Sequence, residues 1–370
     1  MTIAIIGLGA MGLGIAQVFA QAGHPVLATD SSADMRASAP ARLAANFAPR
    51  IAKGAMTEGE KDAILSRLTI TGTIPDLAPA TLVIEAVVER LDVKQSVFSQ
   101  LEQRLAPDAV MATNTSSLSV TAIAAGLSRP DRLLGLHFFN PAPVMRLVEL
   151  APHGGTAPDA LATARRLTEA TGKTVIQCAD RPGFIVNRCA RPFYGEALAL
   201  LEEGRTPAEI DAAMLAAGYR LGPFALIDLV GADINLAATE SLASAMGNHP
   251  RYHVFDALRA QVAKGHLGRK AMKGFVFPAE PVAPPADAAS IALRIEATLV
   301  NEGAWLLAEG GTTTEGIDTA LRLGLNFPRG PFEILHSHGP QRILQTLADL
   351  ERSAPAYLKS RYLPAPALAQ

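Results

Sequence analysis

The stretch that most constrains this chain is Gly7-Leu8-Gly9-Ala10-Met11-Gly12, which follows the apolar run 3–6 and opens a helical pattern. Between a strand and a helix, each glycine has a steric task. The first permits a tight turn, the second lets backbone approach a pyrophosphate, and the third lets the helix pack on the strand. The helix N-terminus adds backbone N–H donors and partial positive charge. We therefore read Gly7, Leu8, Gly9, Ala10, Met11 and Gly12 as a dinucleotide-binding turn. Asp30 ends the next apolar run, where a carboxylate binds the adenosine ribose hydroxyls. Its charge repels a 2′-phosphate, so NAD is the expected cofactor rather than NADP, with Arg36 as a nearby opposing charge.

Short apolar runs continue at 25–29, 82–85, 110–113, 133–137, 145–150 and 174–178, with helical patterns between them such as 12–22 and 93–105. Strand and helix in alternation predict a mostly parallel sheet, an α/β Rossmann-like domain over residues 1–179. Beyond that, amphipathic segments such as 185–201 and 207–217 dominate, giving a helical domain expected at 180–279. A Pro- and Ala-rich stretch, 278–289, reads as a linker to a second helical domain at 290–370.

The two helical blocks share an order of residues. Glu196-Ala197, Leu201 to Gly204, Ile210-Asp211, Gly222-Pro223-Phe224 and Ile227 recur as Glu302-Gly303, Leu307 to Gly310, Ile317-Asp318, Gly330-Pro331-Phe332 and Ile334. An offset drifting only from 106 to 108 residues points to an internal duplication of an all-α domain. Two such copies are expected to pack together, the second covering a surface that a single copy would use to dimerise.

Bulk properties exclude several classes. A net charge of −2 gives no electrostatic footprint for nucleic acid or an anionic membrane. No apolar run reaches spanning length unbroken, and Met1 to Ile6 lacks a basic leader, so the expectation is a cytoplasmic protein. Two cysteines, Cys178 and Cys189, are no disulfide framework and fit a reducing compartment. His336 and His338 form an HxH pair without a third ligand in the pattern, so no metal site is expected.

The chemistry concentrates in Asn114-Thr115-Ser116-Ser117-Leu118, His137-Phe138-Phe139-Asn140-Pro141, Glu149, and Pro182-Gly183-Phe184-Ile185-Val186-Asn187-Arg188. Oxidising a secondary alcohol needs a base for the hydroxyl proton, and a histidine at the carboxyl end of a parallel strand suits it. Glu149 ends the next apolar run and can accept from the other imidazole nitrogen, fixing the tautomer. Together these motifs resemble the L-3-hydroxyacyl-CoA dehydrogenase family over nearly the whole chain, the helical blocks resembling tandem copies of its C-terminal domain.

That resemblance implies reversible, NAD-dependent oxidation of an (S)-3-hydroxyacyl-CoA, a step of the fatty-acid β-oxidation type. It implies His137 as base, Glu149 as its orienting partner, and Ser116 and Asn187 as groups that polarise and position the substrate. Ser116, not Ser117, matches by lying 21 residues before His137. It further implies cofactor contacts from Glu89, Lys94, Ser116, Asn140 and Lys270, and places Lys53 toward the coenzyme A phosphates. The segment around Lys270 departs from the family pattern, with Ala271-Met272 where Thr and an acidic residue or Ser usually stand, which puts the local turn in question. In the second copy Ile295, or a close neighbour, matches Asn187, so that copy is expected to lack a site. Competing readings are a dehydrogenase of a free hydroxy or sugar acid, as in gulonate dehydrogenase relatives, and a non-catalytic dinucleotide-binding protein. A carboxylate on the acyl tail would call for an arginine, for which Arg188, Arg191 and Arg220 are the candidates.

Overall fold

The computed structural model describes residues 1–278 and 282–368. Residues 279–281 of the expected linker and 369–370 of the last expected domain lie outside the described residues. Two compact units divide the chain, Met1–Arg181 and Pro182–Gln370. The helical blocks expected at 180–279 and 290–370 both fall in the second, apart from its boundary residues.

The first unit is built on one eight-stranded sheet of order β3-β2-β1-β4-β5-β6-β7-β8. Its strands are β1 (Ile3–Ile6), β2 (Val26–Thr29), β3 (Leu68–Ile70), β4 (Leu82–Glu85), β5 (Val110–Thr113), β6 (Leu133–Phe138), β7 (Leu147–Pro152) and β8 (Thr174–Gln177). Its α-helices are α1 (Ala10–Gln21), α2 (Ala33–Ala52), α3 (Glu58–Leu65), α4 (Leu91–Glu102), α5 (Val120–Ala124) and α6 (Pro158–Glu169).

The strands read as unbroken apolar runs because both faces are covered. Ile3 and Ile5 pack with Phe19 of α1, Leu43 of α2 and Leu167 of α6, whereas Ala4 and Ile6 pack with Phe98 of α4 and Ile123 of α5. Neighbouring strands are parallel except β6 and β7. Only residues 139–146 join those two, too few for the crossover that a parallel pair requires, so the chain must turn back. The short edge strand β3 was not expected from the sequence: its three residues include an exposed Thr69, too little pattern to read.

The second unit is helical: α7 (Val186–Glu202), α8 (Pro207–Ala216), α9 (Pro223–Val230), α10 (Ala232–Ala245), α11 (Asp256–Ala263), α12 (Ala288–Ala308), α13 (Thr314–Leu325), α14 (Pro331–His338) and α15 (Pro340–Ser353). Helices α7 and α12 are almost wholly buried and lie against each other. Guanidinium and carboxylate groups pair reciprocally across them, from buried Glu196 and Glu302 out to Glu203 and Glu309 nearer the surface. Arg188 donates to Glu302 (2.6 Å) and forks onto Glu309 (2.7 and 2.7 Å). Arg294 donates to Glu196 (2.7 Å) and forks onto Glu203 (2.6 and 2.7 Å).

The caps repeat as well. Asp211 accepts the N–H of Phe224 and Ala225 (2.9 and 2.7 Å), and Asp318 that of Phe332 (2.8 Å). Burial pushes the Asp211 carboxyl up to about 7. Gly222 and Gly330 are dictated by this contact, since a Cβ on either would lie within 2.4 Å of the aspartate. The pairing Arg188–Glu302 and Arg294–Glu196 sets the offset at 106 in these helices, so Leu293, two residues before Ile295, stands where Asn187 does. The position is apolar either way.

No helix among the described residues is long and apolar enough to cross a membrane. Because Arg188 is fully buried, Arg188→Met removes the nearest cation from buried Glu302 and leaves it only the more distant Arg251 at 3.2 Å. Urea unfolding of that variant should show a loss of about 3 kcal/mol. A loss below about 1 kcal/mol would mean that the lattice adds little.

Candidate active site

The Gly-rich turn sits at the carboxyl end of β1. Gly7 adopts φ +95°, and a Cβ there would meet the Ala86 carbonyl oxygen at 2.4 Å; one on Gly12 would meet the Gly7 oxygen at 1.8 Å. Around Gly9 the space is open, and no side chain caps the start of α1. Gly7, Gly9, Asp30 and Arg36 line a cavity of about 530 Å³ with Ile74 and Val93. Exposed backbone donors, an acid and an apolar wall fit a dinucleotide.

Two details refine the expectation. The Leu8 N–H is committed to Asp30 Oδ2 (2.7 Å), and Ser32 N–H to Oδ1 (2.8 Å), so Asp30 also holds the turn in place. Arg36 bends back and donates to the Asp30 and Ser31 carbonyls (2.5 and 3.2 Å).

Beside the turn, Lys94 and Glu89 join a network whose buried centre, Glu85, was not singled out from the sequence. Glu85, wholly buried at the end of β4, accepts from Lys94 Nζ (2.7 Å), Val87 N–H (2.7 Å) and Thr113 hydroxyl (2.7 Å). Lys94, 1% exposed, also faces Glu89 at 3.1 Å, and is therefore an interior residue. Glu89 in turn accepts from Thr115 hydroxyl (2.5 Å), Ser116 N–H (3.0 Å) and Ser117 hydroxyl (3.0 Å). Partial burial pushes the Glu89 carboxyl up, but Lys94 beside it and the Thr115 hydroxyl hold it below its ordinary value. The Ser117 hydroxyl is spent on this loop. A charged residue closing an apolar strand was the available signal for Glu85.

Two strands along from β4, the antiparallel ladder of β6 and β7 places His137 directly opposite Glu149. Their side chains meet with Nδ1 2.7 Å from Oε2, both buried. The end of β6 is further held by Asn114, whose side-chain oxygen accepts the Phe138 N–H (2.8 Å). The Phe139 ring lies 4.5 Å from the imidazole. The neighbouring Cys178 thiol is pushed well up by burial, with Glu149 adding to the shift, so it is not a reactive group.

Asn140 lines a second cavity, about 760 Å³, whose walls include Gln17, Arg42, Asn46 and Arg50. Lys53, exposed at the C-terminal end of α2, is not in that wall; the two arginines are.

In the second unit, Asn187 is half-buried in the first turn of α7. The turn questioned around Lys270 is intact. Gly268 pairs with Lys273, and Asp228 gathers the N–H groups of Phe275, Val276 and Phe277 (2.9, 2.8 and 2.9 Å). Met272 adopts φ +55° with its side chain exposed. Lys270 itself is exposed and paired with Asp233 (2.7 Å). Of the three arginine candidates, Arg188 is consumed by Glu302 and Glu309, Arg191 is buried, and Arg220 is exposed. Among the described residues, no cluster of metal-ligating side chains occurs, and His338 bonds Glu296 (2.7 Å).

Fold and site define a dinucleotide-dependent oxidoreductase with a histidine–glutamate pair at the carboxyl end of its sheet. Two family descriptions match: "3-hydroxyacyl-CoA dehydrogenase, NAD binding domain" at residues 2–181, and "3-hydroxyacyl-CoA dehydrogenase, C-terminal domain" at 183–277 and 291–369. The chain belongs to the 3-hydroxyacyl-CoA dehydrogenase family, and is an NAD-dependent oxidoreductase acting on a CH–OH group. It is 34% identical to 3-hydroxyadipyl-CoA dehydrogenase of Escherichia coli, covering all of this chain and 97% of that one. It is 38% identical to 3-hydroxybutyryl-CoA dehydrogenase of Clostridioides difficile, covering 74% of this chain and 98% of the relative. A crystal structure of 3-hydroxybutyryl-CoA dehydrogenase from Escherichia coli superposes with a TM-score of 0.93 at 34% identity, covering 100% and 98% of the two chains.

Glu85 joins the cofactor turn to the Ser116 loop, so Glu85→Gln should loosen both. NADH fluorescence titration is expected to show affinity at least about tenfold weaker, as a buried, charge-assisted contact is lost. Affinity within twofold of the unaltered protein would confine Glu85 to a packing role.

Proposed function

We propose that the chain oxidises the 3-hydroxyl of an (S)-3-hydroxyacyl-CoA to the 3-oxoacyl-CoA, reversibly, with His137 as general base. The buried His137–Glu149 contact of 2.7 Å carries this reading. Glu149 engages Nδ1, so proton exchange with substrate falls to Nε2, and the carboxylate stabilises the imidazolium that forms. Bound NAD supplies the hydride acceptor for C3. His137 keeps the proton and returns it in the reverse direction.

Ser116 is the proposed hydrogen-bond donor to the substrate oxygen; its backbone is fixed by Glu89. Asn187 carries the second substrate contact on the strength of the family resemblance. Gly7 to Gly12, Asp30, Glu89, Lys94, Asn140 and Lys270 are proposed for the cofactor side, with Lys94 acting from the interior through Glu89. Arg42 and Arg50, with Lys53 nearby, are proposed toward the coenzyme A phosphates because they offer the basic charge around the larger cavity. The names of full-length relatives favour an acyl-CoA over a free hydroxy acid. The cytoplasm is the proposed location, consistent with buried thiols at Cys178 and Cys189.

The helical half is proposed to be a tandem duplication. The same C-terminal domain description matches it on both sides of the linker, and the Arg–Glu pairs of α7 and α12 are reciprocal, as in a two-fold interface. The second copy would then occupy the face a single-copy relative offers to a partner.

His137→Gln should lower turnover of NADH with acetoacetyl-CoA by about 10²–10⁴ while NADH still binds. Near-normal turnover would remove the base assignment, and turnover of free acetoacetate instead would redirect the substrate. In sedimentation, a chain ending at Pro278 should self-associate through the uncovered α7 face. A soluble, monomeric truncation would argue against the duplication as a replaced interface.

A further inference from the structure

One buried arginine of the second unit, Arg191, has no acidic partner among the described residues. In the lattice around α7 and α12, five guanidinium groups (Arg188, Arg191, Arg251, Arg294 and Arg361) meet four carboxylates: Glu196, Glu203, Glu302 and Glu309. Four of the arginines have an acidic partner. Arg191 does not, although it is only 7% exposed. Its Nε donates to the Asn187 carbonyl (3.0 Å) and its Nη1 to the Thr239 hydroxyl (2.8 Å) and Asn235 carbonyl (3.4 Å), all neutral. The Tyr194 ring lies 5.0 Å away, and burial pushes its hydroxyl up, so it supplies no anionic charge.

A small internal cavity, about 10 Å³, adjoins this charge, with Arg191, Thr239, Arg251, Tyr252 and Arg361 in its wall. A second donor belongs to it. Arg361 is 4% exposed, its Nε bonds Glu196 and its Nη1 bonds the Arg251 carbonyl, but its buried Nη2 has no hydrogen-bond partner. That nitrogen lies beside Gly195, also in the wall, where a Cβ would stand 2.7 Å from it. His253 completes the wall; burial and then Arg361 push it below its ordinary value, so it adds no carboxylate-like charge and little positive charge.

We propose that this cavity is a binding site for one halide-sized anion, chloride by its chemistry, held between Arg191 and Arg361. An interior guanidinium without a counter-charge is expensive, and an unbonded buried N–H adds to the cost. The free volume matches a single small sphere. A monatomic anion there supplies the counter-charge that Arg191 lacks and an acceptor for the unbonded Arg361 N–H. The site occurs once, because the residue 106 positions after Arg191 is Ala297. Through Arg191 it also touches the backbone of Asn187.

The test uses the full chain. Crystals soaked in bromide should give an anomalous peak within hydrogen-bond distance of Arg191 and Arg361. Replacing gluconate by chloride at constant sodium and ionic strength should raise Tm saturably, by about 3 °C per tenfold chloride above Kd. Arg191→Met should abolish that rise. If the variant does not fold, the bromide map of the unaltered protein decides. Bromide absent from the cavity, or a Tm indifferent to chloride against gluconate, overturns the proposal.

Discussion

The cofactor half of the site depends on one buried carboxylate. Glu85 stands at the end of the central strand with no exposure, and it is tolerated there only because three donors meet it. Each of those donors belongs to a different piece of the site. Val87 is in the segment whose Ala86 carbonyl walls the Gly7 turn; Lys94 fixes α4 and presents charge to Glu89; Thr113 begins the loop that carries Ser116. Satisfying one interior charge therefore sets the relative positions of turn, helix and serine loop, and no separate constraint is needed for each.

Much of this architecture was readable in the residues. Seven of the eight strands follow apolar runs within about two residues of where the runs begin and end, because a sheet covered on both faces demands continuous hydrophobicity. The eighth, β3, is a half-exposed edge where that demand lapses. His137 and Glu149 were legible as a pair because strand ends and a short connection were legible; the direct cross-strand register explains why twelve residues of separation become 2.7 Å.

What the sequence hid was partnership between charges. Lys94 is turned toward the cofactor by the family resemblance, but nothing local in the sequence shows that Glu85 and Glu89 converge on it in the interior. Arg188, a plausible receptor for an acyl carboxylate when seen beside Asn187, is spent on Glu302 and Glu309, more than a hundred residues away. Lys53 is placed toward the coenzyme A phosphates by the family resemblance alone; it does not line the larger cavity, whose wall holds Arg42 and Arg50. Charge pairing is non-local, so single-residue reading misassigns it most often where burial is deepest.

The same non-locality explains why the helical half keeps ions in its core. Replacing a buried ion pair by apolar side chains is often neutral or stabilising, so the lattice is a poor source of stability compared with leucine packing. It does, however, penalise every misregister. An apolar α7–α12 contact could slide by a helical turn and re-form, whereas a slide here would separate Arg188 from Glu302 and Arg294 from Glu196 together. Both pairs would then be broken with their charges in the interior. Register of α7 matters because its first turn carries Asn187, so an arrangement that adds little net stability still fixes the proposed substrate contact along the helix axis. Arg191, one turn further on and bonded to the Asn187 carbonyl, extends that control, and its charge is the one for which an anion is proposed as the partner.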